Sequence, residues 1–178
     1  MSDPTAVDRL YREASELLKD LEKGEKTSLY VSAADNLRKS LLLAAASYFE
    51  IRTCSIVIDF IRERAKGSIL VEQFVRNKAV SRQFHTWFKW DDNNANHFYG
   101  LFGKSFRDAM DQRLKKSEEL RDSVRSFLEI GSERNRLIHT DYATYPLEKT
   151  MEEIYKSYQS ALPFLEILPI ALRECDEA

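Results

Sequence analysis

The sequence predicts an all-α protein, and three observations carry that reading. Five glycines and four prolines in 178 residues leave few positions for turns. The strong helix formers Leu, Ala, Glu, Lys and Arg dominate the composition. Apolar residues recur at three- and four-residue spacing over long stretches, the period of a helix with one face buried. The simplest architecture is a single domain over 1–178, a bundle of four main helices with short helical pieces in the 84–116 connection.

Each element follows from local signals. The first helix is expected over Pro4–Lys23, with Asp3 as cap, Pro4 in the first turn and Gly24 as the stop. Val7, Leu10, Ala14, Leu17 and Leu21 form its stripe. The second is expected over Ser28–Lys66. Its middle, "LRKSLLLAAASYFEIRTCSIVIDFI", is apolar nearly all round, as in a central helix with neighbours on several sides. A third, Ile69–Phe84, is expected to turn Leu70 and Phe74 inward. The stretch "FHTWFKWDDNNANHFYGLFGKSF" (84–106) reads as an irregular connection. Its rings fit a satellite core better than exposed stacking platforms, since Asp91 and Asp92 interrupt it. Ser117–Thr140 carries the stripe Leu120, Val124, Phe127, Gly131, Ile138. "QRLKKSEELRDSVR" alternates in charge and suits a solvated face. The last helix follows Pro146, with Pro163 and Pro169 expected to kink it.

The composition excludes several functions. The net charge of −2 argues against a strongly basic, standing nucleic-acid binder. Two distant cysteines, Cys54 and Cys175, form neither a disulfide framework nor a zinc spacing. His85 and His97 have no convincing co-ligands, so structural roles are expected, with no metal and no cofactor. A polar N-terminus and the short run "LLLAAASYF" point away from a signal peptide or a membrane span. A cytoplasmic location fits.

One polar cluster stands out. "IGSERNRLIHTDY" (130–142) places Arg134, Asn135 and His139 on one helix, with Asn135 and His139 one turn apart. Arg134 and Asn135 flank the apolar stripe, an unusual position for a cation. Glu50, between Phe49 and Ile51, is a second charge on an apolar face, and Arg134 is its best candidate partner. The bland alternative is equally open at this point. His139 suits a helix C-terminus, where cations are favoured.

The stretch "FLEIGSERNRLIHTDY" resembles the hallmark helix of HEPN domains, in which Arg, often followed by Asn, precedes His by four to six intervening residues. "YFEIRTCSIVIDFI" and "NNANHFYGLFGKSF" are similar to the RiboL-PSP-HEPN branch, found near bacterial defence genes. The likeness spans about residues 36–169. It implies an up-and-down bundle that dimerises and a metal-independent endoribonuclease acting in defence or as a toxin. Two motifs would face each other across a homodimer in one RNA-cutting cleft. Arg134 and His139 are then the catalytic pair, with Asn135 beside them. Glu50 and Tyr142 would support them, although Tyr142 lies three residues after His139, where one HEPN group has tyrosine two after. An antitoxin or ATPase encoded nearby is an implied partner. The other functional class is a non-catalytic dimerisation or sensing module that binds a protein or a nucleotide.

Overall fold

A computed structural model describes residues 3–176, which form helices and connections; no strand occurs among the described residues. The elements are α1 (Ala6–Lys23), α2 (Thr27–Arg64), α3 (Ile69–Val75), a π turn (Arg76–Val80), α4 (Phe84–Trp87), α5 (Asn96–Gly100), α6 (Lys104–Lys116), α7 (Glu118–His139) and α8 (Met151–Asp176). The all-α expectation holds. Two boundaries need correction. Thr5, not Asp3, caps α1, because Thr5 and Asp8 exchange side-chain and backbone hydrogen bonds in a capping box. Residues 104–116 form a full helix of 13 residues rather than short pieces.

The chain divides into two compact units, and α2, α7 and α8 each contribute to both. The first unit takes residues 1–48 and 130–159. Its packing begins at the α1 cap. Thr5 Oγ1 lies 2.9 Å from the Tyr158 hydroxyl, and the Tyr155 hydroxyl donates to Asp8 at 2.9 Å. The Tyr11 and Tyr155 rings stack with centroids 3.9 Å apart. Val7 and Ala14 are buried on α1, Leu41, Leu42, Ala45 and Ala46 on α2, and Ile154 and Tyr158 on α8. By length and composition alone α2 could cross a membrane, but half of its most apolar stretch is buried within the protein.

The second unit takes residues 49–129 and 160–178. Phe127 is its centre, with the rings of Phe49, Phe88 and Phe164 at 5.1, 5.1 and 5.0 Å. Phe84, Trp87, Phe88, Phe98, Tyr99 and Phe106 are buried, so the aromatic stretch is core. The expectation for residues 69–84 fails in its details. Regular helix stops at Val75, and Leu70 and Phe74 are 84% and 67% exposed. The short helix buries none of its residues, because the 84–106 rings already fill the core.

Pro163 does not break α8, which runs from Met151 to Asp176. Proline supplies no N–H, and the next amide, that of Phe164, donates to the buried Ser123 hydroxyl of α7 at 2.8 Å. Substituting Ser123 with Ala strands that amide without its buried acceptor. The expected loss is about 1–3 kcal/mol, measured by urea denaturation. An unchanged midpoint would show that the bond contributes nothing.

Candidate functional site at the end of α7

The site lies in the first unit, on the last two turns of α7 and the connection that follows. Ile130 and Leu137, two turns apart, are 2% and 0% exposed. Each residue turns the helix by roughly 100°, so burying Leu137 swings its neighbour outward. Ile138 is accordingly 45% exposed, which corrects its predicted place in the stripe. On the flank of the buried face, Arg134 and Asn135 are half-buried, while Arg136 and His139 are exposed.

The two arginines of "RNR" have different fates. Arg136 donates to Glu133 Oε1 at 2.7 Å, and the Tyr145 hydroxyl donates to Glu133 Oε2 at 3.1 Å. Burial first, and then the Glu133 carboxylate, push the Tyr145 hydroxyl pKa up, so it stays a donor. Glu133 therefore commits Arg136 and Tyr145 to holding the helix end. Arg134 donates to Asn135 Oδ1 at 3.0 Å, and among the described residues it forms no ion pair. That contact orients the guanidinium without neutralising it. Its remaining N–H groups and the Asn135 amide are left for an anion.

His139 is the last residue of α7. Thr140 Oγ1 donates back to the Arg136 carbonyl at 2.8 Å, closing the helix. A turn at Asp141 follows, with the Tyr145 amide donating to the Asp141 carbonyl at 2.9 Å and the Ala143 amide to its side chain at 3.1 Å. Tyr142 sits in this turn and is 39% exposed.

The turn is anchored by a residue the motif did not indicate. Lys39, on α2, is 1% exposed. Its ammonium donates to the Tyr142 carbonyl at 2.9 Å and pairs with Asp35 Oδ2 at 2.7 Å. It also lies 5.2 Å from the Tyr142 ring centroid, a cation–π distance. Arg38 donates to the other Asp35 oxygen at 3.0 Å. The Asp35–Lys39 spacing of four residues is a readable helical pair. Lys39 stands between Arg38 and Ser40 at the polar start of the apolar run, so the signal that marks Glu50 does not mark it.

Glu50 falls in the second unit. It is half-buried, forms no ion pair among the described residues, and lies one turn from Cys54. The cation expected for it is therefore not needed, because partial exposure leaves its carboxylate hydrated. Burial first, and then the Glu50 charge, push the half-buried Cys54 thiol up to about 11. His97 Nδ1 lies 3.0 Å from the Trp87 carbonyl, and the His85 carbonyl accepts the Trp90 indole N–H at 3.1 Å. Both histidines thus take part in local backbone ties. Among the described residues no group of three or more His, Cys, Asp or Glu is placed to hold a metal ion.

The Lys39 hydrogen bond, ahead of a smaller opposing effect of burial, holds the Asp35 carboxyl below its ordinary 3.8. A lowered folded-state pKa stabilises the protein above the unfolded value, and that contribution is lost as the pH falls through the folded value. Urea midpoints of the wild type should therefore fall more steeply below about pH 4 than those of Asp35→Asn. Parallel curves would contradict the coupling.

Residues 8–174 match the family model described as RiboL-PSP-HEPN. Neither the curated proteins nor the solved structures contain a match.

Proposed function

Since the chain belongs to the RiboL-PSP-HEPN family, we propose that it is a metal-independent endoribonuclease with Arg134 and His139 as its catalytic pair. The observation that carries this reading is the division of labour on α7. Arg136 is spent on Glu133, whereas Arg134 is oriented by Asn135 and keeps its charge, five residues before an exposed imidazole.

RNA brings its own nucleophile. The 2′-hydroxyl attacks the adjacent phosphorus, the bond to the 5′-oxygen breaks, and the products are a 2′,3′-cyclic phosphate and a 5′-hydroxyl. The step needs a base for the 2′-hydroxyl proton, an acid for the leaving oxygen, and positive charge at the phosphorane oxygens. One imidazole supplies one of the two proton-transfer roles. Two copies of α7 facing each other across a two-fold axis supply both, His139 as base and the partner's His139 as acid. Arg134 binds the phosphate and meets the developing charge, and the Asn135 amide adds a donor. Tyr142, exposed three residues beyond His139, offers a ring on which a base can stack. Glu50 remains a proposed supporting residue, on the family resemblance alone. The protein would act in defence or as a toxin, held in check by an antitoxin or ATPase partner.

His139→Ala should lower cleavage of single-stranded RNA by about 10²–10⁴-fold, and Arg134→Ala by about 10²–10³-fold. Wild-type cutting should persist in chelator. Gel assays with end-group analysis read all three outcomes. Undiminished cutting by His139→Ala would remove the assignment, and the absence of cutting by the wild type would favour the dimerisation or sensing module.

A further inference from the structure

The second unit carries an apolar surface that the α7 site does not use. On α3, Ile69, Leu70, Val71 and Phe74 are 72%, 84%, 48% and 67% exposed. Ion pairs hold them outward. Glu72 accepts from Arg62 of α2 at 3.2 Å and from Arg76 at 3.2 Å. At roughly 100° per residue, Glu72 lies opposite the line through Leu70 and Phe74. Fastening Glu72 therefore turns that line to solvent. Ile69 and Val71 lie on either side of it, with Gln73 as the polar residue among them, so the helix presents a broad apolar crown. An exposed apolar patch of this kind marks an interaction surface.

Free cations border the crown. Lys66 stands three residues before Ile69, Lys78 follows Phe74 by four, and Arg82 closes the segment. All three are exposed and form no ion pair among the described residues. From Lys66 to Arg82 there are four cations to one carboxylate, a local net charge of +3 in a chain whose net charge is −2. The one carboxylate, Glu72, is already taken by Arg62 and Arg76.

These features limit what can cover the crown. A second copy would bring the same positive patch to an isologous contact, where like charges repel. RNA would satisfy the cations, but aliphatic side chains offer bases no face to stack on. A protein groove takes anchors at i, i+3 or i+4, and i+7. Seven residues after Ile69 stands Arg76, and seven after Leu70 stands Asn77, so the apolar anchors end at Phe74. A standard protein interface also uses roughly 20–30 residues a side, far more than α3 supplies. A lipid surface needs neither a long stripe nor a large footprint. It takes apolar groups at the boundary of headgroups and acyl chains, and cations at the phosphates.

We propose that the α3 crown docks on a bilayer surface bearing anionic phospholipid. Leu70 and Phe74 enter the apolar boundary, with Ile69 and Val71 beside them. Lys66, Lys78 and Arg82 meet the lipid phosphates, the lysines through long stems that keep the charge in the headgroup layer. The proposal does not depend on the ribonuclease reading.

The test is co-sedimentation of the full chain with vesicles of phosphatidylcholine alone or mixed with phosphatidylglycerol. Binding is expected to the mixed vesicles, to weaken as salt is raised, and to be slight on phosphatidylcholine alone. The double variant Leu70→Ser, Phe74→Ser should lower the partition at least about tenfold. Both positions are exposed, so its circular dichroism should match the wild type. Lys78→Gln should weaken binding about fivefold. No binding to the mixed vesicles, equal binding to both kinds, or binding that the double variant retains would overturn the proposal. Self-association of the wild type, or its binding of single-stranded RNA, that the double variant abolishes in place of vesicle binding would assign the crown to that occupant and overturn it equally.

Discussion

A lysine ammonium cannot stay charged in a protein interior without partners, and Lys39 has three: a carboxylate, a carbonyl and a ring. That requirement shapes the first unit around the end of α7. Asp35 must remain one turn earlier on α2, and the turn after His139 must bring the Tyr142 carbonyl to the ammonium. Glu133 ties the same region through Arg136 and Tyr145. Two polar ties thus fix a short segment that would otherwise fray at a helix terminus. They do so with groups other than Arg134 and His139, which stay available.

This separation of holding groups from the proposed reacting groups explains why a motif with two arginines need not be redundant. A guanidinium locked against a carboxylate has little charge left to offer a phosphate. One steadied by a neutral amide keeps it. Asn135 serves Arg134 in that way, and Glu133 serves the scaffold. Exposure of His139, Tyr142 and Ile138 beside one another leaves a mixed apolar and polar surface on a single copy of the chain.

Much of this was legible in the sequence. Helical periodicity located α1, α2, α7 and α8 to within a few residues, because long amphipathic or wholly apolar segments have few alternatives. The motif put Arg134, Asn135 and His139 on one helix end. Residues 69–84 were misread because periodicity reports which face is apolar, not whether core remains to receive it; the rings of 84–106 had taken that space. The stripe is buried through Leu120, Val124, Phe127 and Gly131, but in the last turn of α7 Leu137 takes the buried place and Ile138 is left outside. Lys39 is not marked in the sequence, because a lysine beside an arginine at the start of an apolar run reads as a solvated end until its partners are known. One of those partners, Tyr142, lies 103 positions away.

The central claim is that the substrate's own 2′-hydroxyl does the cutting at this site. It is tested most directly by mapping a cleaved position in a short RNA and replacing that one ribose with its 2′-deoxy form. The account predicts that the wild-type protein leaves the replaced linkage intact while still cutting the all-ribose strand in the same tube. Cleavage at the deoxy position would contradict it.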